Sequence, residues 1–212
     1  MKLFISQTSP YARFAAVMCI EARLPDLAIV VVDPWDNPAE LLAVTPTGRV
    51  PALHLPETGE TISESLLIAD YAARAAGAPA ELWCRTERER RIAGLALGAI
   101  DAAAAVIAGR MAVSDDVASP AFDASPVGLR RHGAIDRTLD AIDLMLATGL
   151  PPAPGIAAVL PVIAADYMTL RFGNRHETTA RPHLGALRAG LATVRSMALT
   201  RPLVDAATVG RL

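Results

Sequence analysis

The chain opens with an apolar run of strand length, Lys2 to Ser6, and then changes its period. After Thr8-Ser9-Pro10, the stretch PYARFAAVMCIEARL predicts a helix, with Ser9 as N-cap and Pro10 at the first helical position, where a missing N–H costs nothing. DLAIVVVDP predicts a second strand, and its continuous β-branched run predicts burial on both faces. Two strands around one helix make a right-handed βαβ unit. A short helix, NPAELLAV, then leads through a Thr-Pro-Thr-Gly turn into the apolar segment RVPALHL. ETGE supplies a hairpin turn into a minimal strand, TIS, and ESLLIADYAARAAG predicts a helix closing on Gly77. The predicted order is β-α-β-α-β-β-α.

Beyond Gly77 the texture changes. Residues 78–85 are linker-like, and from Thr86 onward only Ala- and Leu-rich helical periodicity remains. Helices are expected over Thr86–Met111, Pro126–Ala147, Gly155–Phe172 and His183–Met197, with AVSDDVASPAFDAS a loop between the first two. This gives an α/β domain over 1–77, a linker over 78–85 and an all-α domain over 86–212.

Composition narrows the partners. The 212 residues, 52% of them hydrophobic, suffice for a sizeable core, and a net charge of -2 offers no basic surplus for nucleic acid or an anionic membrane. Cys19 and Cys84 make no disulfide framework and no metal-ligand spacing, which favours a reducing compartment. The amino terminus lacks the pattern of an export signal, so the expected location is cytoplasmic. Asp101 interrupts the apolar stretch GLALGAIDAAAAVIAG, and Pro161 and Asp166 interrupt GIAAVLPVIAADYM, so both read as buried helices.

Three short stretches carry candidate chemistry. Pro51 cannot donate to a sheet ladder, so RVPALHL is either an edge strand or contains a cis Val50–Pro51 bond that turns the Val50 backbone outward to pair with a peptide-like ligand. Glu64-Ser65 is either a simple helix start or an anion site at one. Ser9 either caps its helix or also serves a ligand.

Taken in order, TSPYARFAAVMCIE, TPTGRVPAL and ETISESLLIADYA resemble the first turn and helix, the Asn-Pro-x-Gly-Lys-Val-Pro-x-Leu motif and the Glu-Ser element of the cytosolic glutathione S-transferases. The resemblance covers essentially the whole chain and is to the serine-type, bacterial-like members, since omega-like and redox relatives carry Cys where Ser9 stands. It implies a thioredoxin-like amino-terminal domain, an all-helical carboxy-terminal domain, a homodimer, a cis Pro51, and glutathione as co-substrate without a metal. It assigns the cysteinyl contact to the Val50 backbone beside Pro51 and the γ-glutamyl end to Glu64 and Ser65, with Arg49 keeping the cation of the motif's Lys. Ser9, with Thr8 as competitor, would hydrogen-bond the sulfur.

Tyr11, Ala105, Met111 and Tyr167 are candidates for the electrophile pocket, with Ile107 and Arg171 beside them, and Arg13 and Asp101 are read as structural charges. The implied function is conjugation of glutathione to small hydrophobic electrophiles. The alternatives are glutathione-dependent peroxidase, reductase or isomerase chemistry, or a non-catalytic scaffold. Two departures stand out: Thr45 replaces the motif's Asn, and Gly155 and Ala158 occupy the positions of the family's Ser/Thr-x-x-Asp capping box.

Overall fold

A computed structural model describes residues 1–75, 77–114 and 119–202. The chain forms two compact units, one built from Met1–Arg85 with Pro152–Val159 and Leu191–Pro202, the other from Thr86–Pro151 with Leu160–Gly190.

In the first unit, β1 (Lys2–Ile5), α1 (Pro10–Glu21) and β2 (Ala28–Val31) form the βαβ start, with β1 and β2 parallel. A short α2 (Ala39–Leu42) precedes β3 (Ala52–Leu55), β4 (Glu60–Ser63) and α3 (Ser65–Ala73). The sheet order is β2-β1-β3-β4, with β3 antiparallel to both neighbours. Helices α1 and α3 pack on each other and on the sheet, and α1 buries nearly its whole length from Ala12 to Cys19.

Burial of β2 on both faces does not occur. It is the edge strand, so it lacks a neighbour on one side, and Ile29 and Val31 remain 42% and 55% exposed. Val30 and Val32 alternate inward instead, packing with Phe4, Leu41 and Ala52. Helix α3 also stops at Ala73, short of Gly77, although Gly77 does adopt the left-handed conformation (φ +83°) expected after a helix.

The second unit is helical among the described residues. α4 (Glu87–Val113) starts on Thr86, whose hydroxyl accepts from the Glu89 amide at 3.1 Å, and Glu87 and Glu89 oppose the positive end of its dipole. α5 (Pro126–Leu146) packs along it and starts in the same way on Ser125. The Arg88 guanidinium on α4 donates to the Met145 and Gly149 carbonyls at the far end of α5, satisfying acceptors that the helix leaves open. The expected loop between α4 and α5 is partly structured: Pro120–Ala124 is a 3-10 turn, while residues 115–118 lie outside the described residues. α4 and the segment Ile156–His176 are long and apolar enough to cross a membrane, but half or more of each is buried within the protein, as core helices are.

One expected helix is two. His183–Met197 divides into α7 (Pro182–Leu191) and α8 (Arg195–Leu199), because Val194 takes an extended conformation (φ −65°, ψ 126°) as the start of the latter. α8 packs on α1, where the buried Arg13 guanidinium donates to the Met197 carbonyl at 3.4 Å.

Helix α6 (Ile156–Phe172) explains the missing capping box. A Cβ at Gly155 would collide with the Glu81 carbonyl oxygen and lie 3.0 Å from that of Pro152, so no capping side chain fits where Ser or Thr is usual. Pro161 falls in the second turn, beyond the positions where proline is free, and removes the amide that would bond the Ala157 carbonyl. A Ser introduced at position 155 would, on capping alone, be expected to stabilise by only about 0.3 kcal/mol, since glycine is itself a tolerable cap. Overpacking against backbone outweighs that, and Gly155→Ser should lower stability by about 1–3 kcal/mol in urea unfolding.

Candidate functional site

The candidate residues converge because of the sheet register. Ala52 pairs with Phe4 on one side and with Ser63 on the other. The carboxy-terminal ends of β1 and β4 and the amino-terminal end of β3 therefore lie at one end of the sheet. The chain leaving β1 carries Thr8 and Ser9, the chain entering β3 carries Arg49, Val50 and Pro51, and the chain leaving β4 carries Glu64 and Ser65.

Ser9 caps α1 as its sequence predicts, with Oγ accepting from the Ala12 amide at 3.2 Å. That bond uses a lone pair, and the hydroxyl proton finds no acceptor among the described residues. Ser9 is half-buried, whereas Thr8 is buried.

The Val50–Pro51 bond is cis, as the resemblance implied, and a second cis bond, Ala153–Pro154, was not anticipated. Pro51 is buried and Val50 half-buried, and neither backbone polar group of Val50 has a partner among the described residues. The approach to it is a tight turn: the Gly48 amide donates to the Thr45 carbonyl at 3.2 Å, and Gly48 has φ +60°, where its lack of Cβ is needed. Thr45 is buried and shares a hydrogen bond with the Thr47 hydroxyl at 3.1 Å, so the replacement of Asn leaves no unsatisfied group there.

Glu64 holds the conformation that sequence reasoning missed. Its φ of +75° and ψ of 121° are strained for a residue with a Cβ, and no local sequence signal marks it because glycine is absent. The geometry turns the chain so that Ser65, buried, begins α3 with no side-chain cap. The Ser65 and Leu66 amides find no acceptor among the described residues, which leaves donors and the positive end of a helix dipole for an anion. Arg49 and Glu64 face each other at 3.7 Å, both well exposed, an ion pair worth little by itself.

The pocket candidates fall in separate units. Tyr11, half-buried, is in the first; Ala105 and Met111, half-buried, and Tyr167, buried, are in the second. Within that unit the Arg171 guanidinium stands over the Tyr167 ring at 5.4 Å, and burial pushes the Tyr167 hydroxyl above the ordinary range. Ile107 is buried and Asp101 exposed. Neither cysteine offers a competing nucleophile: both are buried, and burial pushes the Cys19 thiol up to about 12.

The fold and this end of the sheet define a thioredoxin-like domain joined to a helical one. Residues 8–75 match the family model described as the glutathione S-transferase N-terminal domain. Among solved structures, a glutathione S-transferase from Methylobacillus flagellatus with glutathione bound is 25% identical, with TM-score 0.81 over 95% of this chain and 99% of that one. A glutathione transferase family member from Pseudomonas fluorescens with bound glutathione is 27% identical, with TM-score 0.76 over 96% and 99%. A glutathione S-transferase from Methylobacterium radiotolerans, complexed with glutathione sulfonate, shares the fold at 23% identity and TM-score 0.80, over 96% and 95%. No curated protein matches the sequence. Residues 8–75 are thus a glutathione S-transferase N-terminal domain, and the chain carries the glutathione S-transferase fold.

Relief of the strain at Glu64 is measurable. Strain of this kind costs about 1–3 kcal/mol, and glycine returns about 0.5–1 kcal/mol of it through the unfolded chain. Glu64→Gly should therefore raise stability by about 1 kcal/mol in chemical unfolding; a loss of stability would mean that the backbone is not strained.

Proposed function

We propose that this chain is a serine-type glutathione transferase that conjugates the glutathione thiolate to small hydrophobic electrophiles. The observation that supports this reading is the convergence, at one end of the sheet, of an unpaired Val50 backbone, an uncapped helix start at Ser65 and a serine hydroxyl with an uncommitted proton. Glutathione has a matching set of groups. Its cysteinyl peptide pairs as an added strand with Val50 beside Pro51, its γ-glutamyl carboxylate meets the Ser65 amide and hydroxyl, and its amino group meets Glu64. Arg49 supplies a cation at the rim. The fold relatives with glutathione bound support the same ligand for this chain.

The thiol of glutathione, like free cysteine, ionises near 8.5, so at neutral pH it is mostly protonated and a weak nucleophile. A hydrogen bond from Ser9 and the positive end of the α1 dipole both favour the thiolate, and each unit of lowering is worth about 1.4 kcal/mol. Thr8 is the competitor for that contact. The proton leaves to solvent, the sulfur lone pair forms a bond to the electrophilic carbon, and the leaving group departs with its bonding pair. Tyr11, Ala105, Met111 and Tyr167 contribute apolar surface for the electrophile. The same reading carries a homodimer, a cytoplasmic location and the division into domains over 1–77 and 86–212.

The test is an ultraviolet difference titration with glutathione near neutral pH, where thiolate absorbs and thiol hardly does. The native protein should give a saturable thiolate band. Ser9→Ala should keep glutathione binding within a few-fold, lose most of the band and drop kcat/KM by about 10–100-fold, the worth of one hydrogen bond to a charged group. An unchanged band in the variant moves the role to Thr8, binding without any band favours a scaffold, and no binding overturns the reading.

A further inference from the structure

The second unit contains a buried chain of titratable groups that glutathione chemistry does not use. His132 on α5 and His176, in the turn Gly173–His176, are both buried, and His132 Nδ1 lies 2.8 Å from His176 Nε2. At the outer ends, His176 Nδ1 is 2.7 Å from Asp136 Oδ1, and His132 Nε2 is 3.0 Å from Asp123 Oδ2, at ion-pair distance though without a hydrogen-bond direction. The Phe172 ring stands edge-on to both imidazoles, 5.1 and 5.5 Å away, and keeps that side apolar.

Charged groups from each neighbouring element face the pair. Arg110 on α4 clasps Asp123 with two hydrogen bonds of 2.8 and 2.6 Å, and Arg175 reaches the same carboxylate at 3.3 Å. Arg181, ahead of α7, bonds Asp136 and Asp140 on α5. Two carboxylates, Asp123 and Asp136, thus meet the two rings, and three guanidinium groups back those carboxylates.

Proton counting decides what this chain tolerates. With both rings neutral, His176 Nδ1 donates to Asp136 and His132 Nδ1 donates to His176 Nε2, which leaves a bare His132 Nε2 against Asp123. One added proton fills that position. A second has no place, because it would point two N–H groups at each other across 2.8 Å. We infer that the His132–His176 contact is an acid-sensitive latch on the helical unit: it closes with no more than one extra proton and opens when both rings are charged.

The direction of the pH effect follows. Burial holds both rings below the ordinary histidine range, with Arg175 adding to it and Asp123 and Asp136 opposing. In the unfolded chain each imidazole takes its proton near 6.5, so as pH falls below that value the unfolded state comes to bind two protons while the folded one holds no more than one. Stability is therefore fully present above 6.5 and is lost as pH falls. The unfolding constant should rise by about sixfold or more between pH 6 and 5 through this pair alone.

The test is urea unfolding followed by far-ultraviolet circular dichroism at pH 7, 6 and 5, on the native protein and on His176→Gln. Gln cannot take a proton, so the native chain should lose about eightfold more in its folding constant from pH 6 to 5 than the variant does. Equal slopes in the two proteins overturn the latch. Should the variant not fold, long-range nitrogen–proton NMR of the native histidines decides. One ring reaching the doubly protonated form while the other stays neutral down to the acid transition supports the latch; both rings becoming doubly protonated within the intact fold overturns it.

Discussion

The register of β3 is the constraint on which the candidate site depends. Ala52 is paired on both sides, with Phe4 in β1 and Ser63 in β4, and is fully buried. A slip of one residue would exchange the faces of Ala52 and Leu53 and carry Val50–Pro51 away from Glu64–Ser65. The positions of a hydroxyl, a free peptide edge and a helix start, far apart in sequence, are thereby tied to hydrophobic packing.

Polar burial is divided between the two units in different ways. In the first, backbone polar groups at the end of the sheet have no partner among the described residues, a cost tolerable only where solvent or a ligand reaches them. In the second, Arg110 pairs with Asp123, His132 with His176 and His176 with Asp136, and Arg110 also lies 5.1 Å from the Phe172 ring. Arg110 is the larger influence holding the Asp123 carboxyl below its usual range, against the opposing effect of burial. Removing Asp123 would take away the carboxylate that the buried Arg110 guanidinium clasps, and a buried ion pair of this kind fixes the helices' arrangement more than it adds to their net stability.

What the sequence made legible was what depends on local chemistry. The β-α-β-α-β-β-α order, the cap at Ser9, and the α4 and α5 helices follow from spacing and local residue types alone. The cis bond at Pro51 needed the wider motif, since proline by itself favours trans. Illegible were features decided by distant neighbours. Ile29 and Val31 read as buried because their run is β-branched, yet which strand lies at the edge is a property of the whole sheet. The His132–His176 pair is separated by 44 residues and carries no motif. Glu64 gives no sign of its positive φ, because the usual signal for that conformation is glycine.

Gly155 marks the boundary between these two kinds of information. Its sequence context reads as a defect, a helix start without its capping side chain. In three dimensions the missing side chain is a requirement, because the Glu81 carbonyl occupies the space where a Cβ would stand. The close approach of that backbone and the absent cap are one event: the segment before α4 packs against the start of α6, and this packing takes the place of the capping hydrogen bond. A departure from a family pattern is therefore evidence of lost stability only after the space around it is known. The serine cap on α1 is the converse case: an ordinary helix start whose hydroxyl proton the cap leaves uncommitted.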